Sequence, residues 1–163
     1  MIPVFSIVGS KSNTGKTTII CKIIEELKNR GYKVATIKHH MGDFEIDQPG
    51  KDTWKHGQAG ADIVIISSPV KMAKVEKLEK EIELDNIIGQ IQDVDIIITE
   101  GYKKENKLKL EVVRKAISEN LISKEDELFG IVTDFPLKNN IPQFNFDQTL
   151  DIVNLIEEKF LRK

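Results

Sequence analysis

The chain has 163 residues, of which 40% are hydrophobic and 31% charged, and 24 basic against 26 acidic side chains leave a formal net charge of -2. This size and composition predict one folded domain over residues 1–163 and exclude a disordered chain. The near-neutral balance argues against the basic surface that nucleic-acid binding requires. Apolar runs such as 63–66 are far shorter than the roughly 18 residues of a membrane-spanning helix. Because Cys21 is the single cysteine, we expect no internal disulfide and a reducing compartment. Together with the short apolar runs, this predicts a cytoplasmic location and no membrane partner.

Short β-branched segments alternate with segments of helical period, which predicts an α/β fold in three layers, with a mostly parallel sheet and helices on both faces. The predicted strands are 4–8, 34–38, 61–67, 69–77, 94–99, 108–113 and 128–133, and 61–67 and 69–77 are expected to form a hairpin. The predicted helices are 16–30 (ended by Gly31), a short one with Leu84, Ile87, Ile88 and Ile91, and a final one with Ile152, Val153, Ile156 and Phe160. Lysines interrupt 108–113, which predicts a strand near an edge of the sheet.

Residues 9–18 connect the first predicted strand to the first helix and match the phosphate-loop pattern G-x-x-x-x-G-K-[ST] at Gly15, Lys16 and Thr17, whereas Ser10 holds the place of the first glycine. Backbone N–H groups of such a loop, together with the helix dipole, bind polyphosphates. Lys16 is expected to reach the β- and γ-phosphates as a catalytic cation, and the Thr17 hydroxyl to bind Mg²⁺. The predicted nucleotide-binding residues of the loop are Ser12, Asn13, Thr14, Gly15, Lys16, Thr17 and Thr18.

Two carboxylates are candidates for the metal. Glu100 ends the predicted strand 94–99, where ligands of open α/β sheets bind, whereas Asp95 begins that strand and is interpreted as a surface or turn residue. Asp47 lies in the long segment between the second and third strands and is a candidate both for holding a metal-bound water and for catalysis, with Lys51 meeting phosphate. A plain Pro–Gly turn between exposed charges explains the same residues equally well.

The histidine segment of that long connection also raises a zinc hypothesis, in which His39 and His40 would act with Asp43 and Glu45. Adjacent residues of an extended chain point to opposite sides, and no cysteine completes the set. The sequence therefore argues against a zinc site here.

Taken together, these motifs resemble the molybdopterin-guanine dinucleotide biosynthesis adaptor family (MobB), a group of phosphate-loop GTP-binding proteins. The most selective segments are 12–18, 37–40, 47–53, 58–61 and 99–103. The resemblance implies a phosphate-loop NTPase fold and a homodimer that binds GTP with Mg²⁺, hydrolyses it weakly at most, and assists the molybdopterin guanylyltransferase (MobA-type) that joins GMP to molybdopterin. It also implies that Glu100 and Asp47 lie near the metal. Segment 108–114 is one candidate for pairing between protomers.

The base preference is open. The guanine-reading motif N-K-x-D is absent, since Leu108 and Lys109 follow Asn106 and Lys107. Asp134 is a candidate for accepting the guanine N1 and N2 protons, or else opens the turn before a proline.

Two other function classes compete with the GTP-binding adaptor. A small-molecule kinase would use the same loop for ATP, but the chain has only Arg30, Arg114 and Arg162 to clamp a migrating phosphoryl group. A nucleotide-driven metallochaperone would need more metal ligands than three histidines and one cysteine supply.

Overall fold

The computed structural model describes residues 1–162. In chain order the strands are β1 (Val4–Val8), β2 (Val34–Lys38), β3 (Ile63–Ser68), β4 (Lys71–Glu76), β5 (Ile96–Glu100), β6 (Lys109–Val113), β7 (Leu128–Thr133) and β8 (Gln143–Phe144). The α-helices are α1 (Lys16–Asn29), α2 (Asp52–Gln58), α3 (Leu84–Ile88) and α4 (Thr149–Ile156). Contacts divide the chain into two compact units, one made of residues 1–39 and the chain from Ile88 onward, the other of residues 40–87. That the whole chain acts as one nucleotide-binding domain stays a prediction.

The first unit is built on a six-stranded sheet with the order β2-β5-β1-β6-β7-β8. Every pair of neighbouring strands in it is parallel. The predicted α/β class with a mostly parallel sheet is therefore confirmed. β1 lies between β5 and β6, so the connection that follows it leaves from the middle of the sheet, where the carboxyl ends of parallel strands form ligand sites.

Helices α1 and α4 pack together on one face of this sheet. The apolar positions of α1 recur at helical spacing and are buried, and Gly31, with φ 89°, ends the helix as predicted. Three phenylalanines join strands and C-terminal helix: the Phe5 ring lies 5.4 Å from both the Phe129 and the Phe160 ring. On the opposite face, near β6 and β7, loop residues cover the sheet; they are Leu121, Phe135, Leu137 and Ile141.

β6 corrects two predictions from the sequence. The strand lies between β1 and β7 and all its residues are buried, so the edge position predicted for 108–113 is wrong, and so is pairing of 108–114 across a dimer. Lys109 is tolerated there at 1% exposure because its Nζ lies 3.0 Å from Glu127 Oε2. The same ammonium group lowers the pKa of Glu127.

Glu111 is the second charged residue of β6 and is completely buried. Its two carboxylate oxygens accept hydrogen bonds from the backbone N–H groups of Ile122 (2.7 Å) and Ser123 (3.0 Å). A buried carboxylate is stable in such a place only when both oxygens are satisfied. Glu111 therefore fixes the connection between β6 and β7 to the sheet.

The second unit contains α2 and the antiparallel hairpin β3–β4, which confirms the predicted hairpin. The register places Ile65 opposite Lys74 and Ser67 opposite Met72 on one face of the hairpin. Val64 lies on the other face and contacts the α2 side at Gly57. Ile65 and Met72 are 55% and 69% exposed, so the first face is open and carries exposed apolar side chains beside Lys74 and Glu76.

Within residues 1–162 the structure has no helix with the length and apolar character needed to cross a bilayer.

Candidate functional site

The predicted phosphate loop is the connection between β1 and α1. Gly15 adopts the left-handed conformation (φ 97°, ψ 11°) immediately before the helix. The first helical hydrogen bond runs from the Ile19 N–H to the Gly15 carbonyl at 3.0 Å, so the N–H groups of residues 16–18 have no acceptor within the helix. A side chain at Gly15 would be strained and would meet the Phe146 ring at 3.0 Å. These N–H groups form the positive end of α1, where an anion binds.

Gly9 explains why the first glycine of the pattern is displaced by one residue. A Cβ atom at Gly9 would lie 2.8 Å from Thr14 Oγ1 and 2.9 Å from the Val112 carbonyl oxygen. Only glycine fits where the loop leaves β1 and folds back against β6. Ser10, one residue later, is free of this restriction, which accounts for the imperfect match to the motif.

Lys16 is folded over the loop. Its Nζ donates hydrogen bonds to the Lys11 carbonyl (2.7 Å) and to Thr14 Oγ1 (3.2 Å). Burial lowers the pKa of Lys16; nearby Glu100 raises that pKa, and the ammonium groups of Lys103 and Lys38 lower it further. A phosphate bound in the loop would supply the negative charge that this ammonium group lacks.

Thr17 and Glu100, the two predicted metal ligands on this unit, are brought together. Thr17 Oγ1 donates to Glu100 Oε1 at 3.4 Å, and Lys38 Nζ lies 3.5 Å from the same oxygen. The pairing order β2-β5-β1 places the ends of these three strands side by side. A hydroxyl and a carboxylate are the hard oxygen ligands that Mg²⁺ prefers, so the residues fit this ion. Asp95, at the other end of β5, accepts a hydrogen bond from the Lys33 N–H at 2.7 Å, a structural role that agrees with its interpretation as a surface or turn residue.

Two lysines beside the loop received no role from the sequence. Lys38 is the last residue of β2, and Lys103 follows β5 and donates a hydrogen bond from Nζ to the Ser10 carbonyl at 3.0 Å. Their position at the carboxyl ends of strands is the sequence feature that could have identified them as site residues. It becomes useful only once the strand order is known.

Arg114 borders the loop on the β6 side. Its Nε donates to the Thr14 carbonyl at 3.2 Å, and its guanidinium carbon lies 4.0 Å from the centre of the Phe146 ring. Asp134 Oδ2 is 3.9 Å from Arg114 Nη1, while Asp134 Oδ1 accepts a hydrogen bond from the Lys115 N–H at 2.8 Å. Asp134 is thus linked to the loop through Arg114, a residue for which the sequence indicated no role.

Asp47 and Lys51 belong to the second unit, whereas Lys16, Thr17 and Glu100 belong to the first. The Asp47 carboxylate accepts hydrogen bonds from Thr53 Oγ1 and from the Gln48 N–H, and these bonds, the first above all, lower its pKa. Asp47 is therefore ionised at neutral pH, as is required of a carboxylate that accepts a hydrogen bond from a metal-bound water. The Pro–Gly turn is also present, closed by a hydrogen bond of 3.2 Å from the Lys51 N–H to the Gln48 carbonyl, and α2 begins directly after it.

The histidine segment was the other candidate for a metal. Within residues 1–162 no group of three or more His, Cys, Asp or Glu side chains is arranged to hold an ion. The His39 ring instead lies 4.9 Å from the Tyr102 ring, and the His40 ring lies 6.3 Å from Phe44 in an edge arrangement.

Known proteins are similar to this chain over most of its length. The family model for "Molybdopterin guanine dinucleotide synthesis protein B" matches residues 4–134. The molybdopterin-guanine dinucleotide biosynthesis adapter protein of Haemophilus influenzae is 29% identical over 96% of this chain and 88% of its own length. The Escherichia coli protein of the same name is 29% identical over 97% of this chain and 93% of its own.

Solved structures extend the likeness to three dimensions. A crystal structure of molybdopterin-guanine biosynthesis protein B (mobB) superposes with a TM-score of 0.72 at 31% identity and covers 95% of this chain and 98% of that one. Bacillus subtilis MobB superposes with a TM-score of 0.80 at 23% identity over 99% of this chain and 100% of that one, a likeness of fold. On the family match over most of its length, the chain belongs to the molybdopterin guanine dinucleotide synthesis protein B (MobB) family.

Proposed function

We propose that this chain is a cytoplasmic GTP-binding adaptor that assists a MobA-type molybdopterin guanylyltransferase in attaching GMP to molybdopterin. Membership of the family assigns the chain to molybdopterin guanine dinucleotide synthesis as an adapter. The nucleotide, the metal and the partner enzyme are the proposed part. The observation that carries them is the loop between Gly9 and Gly15, with Lys16 folded over it and Thr17 beside Glu100.

In this proposal the loop N–H groups and Lys16 bind the phosphate oxygens, and the exposed Thr18 contacts the α-phosphate. Thr17 and Glu100 would hold Mg²⁺, which neutralises charge on the phosphate oxygens when bound. That Asp47 positions water and that Lys51 contacts phosphate stay predictions from the sequence, because both residues belong to the second unit. The proposed hydrolysis is slow, below about 0.1 per second, which is well under typical enzyme turnover.

Guanine recognition is proposed at the carboxyl ends of β7 and β8. An open depression of the surface lies there, bordered among others by Asp134, Phe135 and Asn145. The Lys115 N–H orients the Asp134 carboxylate by holding Oδ1. Oδ2 lies 3.9 Å from Arg114 Nη1, beyond hydrogen-bond distance, so this oxygen is the one proposed to accept hydrogen bonds from guanine N1–H and N2–H.

The arginines support an adaptor rather than a kinase. Arg30 and Arg162 both pair with Glu157 at the C-terminal helix, at 2.8 and 3.4 Å. Within residues 1–162, only Arg114 among the arginines is recorded in contact with the loop. A clamp of several guanidinium groups around a migrating phosphoryl group is not built here.

The function is tested by equilibrium binding of fluorescent GTP and ATP with Mg²⁺, together with a phosphate-release assay. The expected result is tight binding that favours GTP over ATP, together with slow release of phosphate. Rapid ATP turnover that depends on a small acceptor would show a kinase instead. Stimulation of GMP transfer by a purified MobA-type guanylyltransferase, lost when the chain is omitted, is expected for the proposed partner.

Replacing Glu100 with glutamine is expected to remove most of the Mg²⁺-dependent gain in GTP affinity, about tenfold, because a neutral amide is a poor ligand for a hard cation. GTP binding measured in EDTA should be unchanged or slightly tighter, since one negative charge near the phosphates is removed. Fluorescence titration with and without Mg²⁺ measures both values. Asp95→Asn, at the other end of the same strand, is the matched control and should keep the normal Mg²⁺ response. Equal Mg²⁺ dependence in Glu100→Gln and the unmodified chain would rule out Glu100 as a ligand.

The proposed homodimer is placed at the open face of the β3–β4 hairpin. Two-stranded hairpins are marginally stable alone, and this one exposes Ile65 and Met72. On the same face Lys74 Nζ lies 2.5 Å from Glu76 Oε2, so these two charges pair within the hairpin and a second copy can cover the apolar side chains without leaving either charge unpaired.

Ile65→Glu is expected to convert the proposed dimer to a monomer, because it replaces an apolar side chain of the interface with a carboxylate, and Lys74 opposite it already pairs with Glu76. Sedimentation velocity or light scattering measures the mass. Lys80→Glu, at an exposed position beyond the hairpin, should leave the dimer intact. A dimer that survives Ile65→Glu unchanged would place the interface elsewhere.

A further inference from the structure

The chain reverses direction sharply just after β5. Gly101 (φ 88°) and Tyr102 (φ 52°) both adopt left-handed conformations, which is rare for two consecutive residues. The Gly101 N–H donates to the Ile7 carbonyl at 3.1 Å and so continues the ladder between β1 and β5. A Cβ atom at Gly101 would approach His39 Cβ to 3.3 Å. The segment is therefore held against β1 and against the residue after β2, and it directs Lys103 back toward the phosphate loop.

Two ammonium groups bind consecutive carbonyls at the start of the loop. Lys103 Nζ donates to the Ser10 carbonyl at 3.0 Å, and Lys16 Nζ donates to the Lys11 carbonyl at 2.7 Å. Lys38 brings a third ammonium group to within 3.5 Å of the Glu100 carboxylate. The ammonium groups of Lys38 and Lys103 repel that of Lys16, and a bound polyanion relieves this repulsion.

The strand order gives the loop two distinct sides. Arg114 reaches it from the end of β6, and Asp134 at the end of β7 is linked to it through Arg114, on one side of β1. Lys103 reaches it from the end of β5, on the other side of β1. A nucleotide with its base on the side of β7 therefore extends its phosphates toward β5, and its last phosphate lies nearest Lys103.

From this geometry we propose that Lys103 contacts the terminal phosphate of a bound nucleoside triphosphate and so distinguishes triphosphate from diphosphate. The inference rests on the proposed nucleotide binding and adds a residue that senses the γ-phosphate. On binding, Lys103 Nζ exchanges or shares its hydrogen bond to the Ser10 carbonyl with an oxygen of that phosphate. Lys16 is expected to contact the β-phosphate as well, so it does not distinguish a triphosphate from a diphosphate in this way.

The test compares GTP with GDP in three forms of the full chain: unmodified, Lys103→Gln and Lys104→Gln. Lys104 is the matched control because it is the neighbouring exposed lysine and its replacement removes the same charge. Lys103→Gln is expected to weaken GTP binding about tenfold and GDP binding less than about twofold, the effect of one charge-assisted hydrogen bond to the last phosphate. Lys104→Gln should change either affinity by less than about twofold. Competition against a fluorescent nucleotide at fixed Mg²⁺ and salt gives all six constants.

The outcomes separate the two proposals. If the unmodified chain binds neither nucleotide, the proposed function is wrong, and the role of Lys103 with it. If the unmodified chain binds both but Lys103→Gln weakens GTP and GDP equally, or no more than Lys104→Gln does, the role of Lys103 alone is overturned. Thermal unfolding of Lys103→Gln without nucleotide should match the unmodified chain, because the exposed side chain contributes one surface hydrogen bond.

Discussion

Replacing Lys16 with alanine is expected to weaken GTP binding by at least about a hundredfold while the unliganded fold is kept, because a charge-assisted contact to two phosphates is lost. The ammonium group is already positioned over the loop by the Lys11 carbonyl and Thr14 Oγ1. In the absence of ligand its burial and its neighbouring lysines lower its pKa, so its removal relieves repulsion. Isothermal titration calorimetry with GTP and Mg²⁺ measures the loss of affinity.

Lys11→Ala is the matched control for this variant. Lys11 is exposed and contributes its backbone carbonyl to the contact with Lys16, so truncation of its side chain should change GTP affinity by less than about threefold. Thermal unfolding checks the fold of both variants. A rise in melting temperature on adding GTP that persists in Lys16→Ala would contradict the assignment of this loop as the phosphate site.

Replacing Glu111 with alanine is expected to destabilise the chain by on the order of 3 kcal/mol, because two backbone N–H groups lose a charged acceptor within the protein interior. The Glu111 side chain is fully buried and accepts hydrogen bonds from the N–H groups of Ile122 and Ser123 at 2.7 and 3.0 Å, so alanine breaks both bonds and leaves the space of the side chain unfilled. For a chain of this size the expected fall in melting temperature is roughly 6 to 12 °C. Chemical denaturation gives the free energy of unfolding directly.

Glu119→Ala controls for the change in charge, since Glu119 lies on the same connection but is exposed. Its free energy of unfolding should stay within about 0.5 kcal/mol of the unmodified chain. A loss of the same small size in Glu111→Ala would show that the connection between β6 and β7 is held by its apolar contacts rather than by this carboxylate.

Local signals predicted the strands and the loop well. β1 and β2 have the predicted bounds, and α1 begins at the predicted Lys16. These elements carry their information within a few residues: a β-branched run, then a glycine that requires positive φ, then an apolar helical period. The pairing of Thr17 with Glu100 was also predictable, because both lie at the carboxyl edge of a parallel sheet.

Partners distant in the chain account for what was missed. The charges of β6 suggested an exposed edge, but Glu127 satisfies Lys109, and the N–H groups after residue 121 satisfy Glu111. No spacing rule within the strand reveals such partners. α2 escaped prediction because none of its seven residues is buried, and β8 because two residues are too short for a periodic pattern.

Contacts between residues distant in the chain also limit what the sequence says about the site. Lys38, Lys103 and Arg114 are far apart in the chain and become neighbours of the loop only through the order β2-β5-β1-β6. Spacing along the chain carries no information about this order. Lys103 belongs to segment 99–103, one of the segments on which the family resemblance rests. Its position beside the phosphate loop, however, follows only from the hydrogen bond of its Nζ to the Ser10 carbonyl.

The central position of β1 has a consequence for biosynthesis. β1 pairs only with β5 and β6, so the first strand to leave the ribosome has no partner until about a hundred further residues have been translated. The hairpin of β3 and β4, by contrast, pairs locally and is complete much earlier. During translation the hairpin strands can therefore pair before the residues of the proposed phosphate site are brought together, and a nucleotide bound at that proposed site would stabilise the nascent chain only in the last stage of its synthesis.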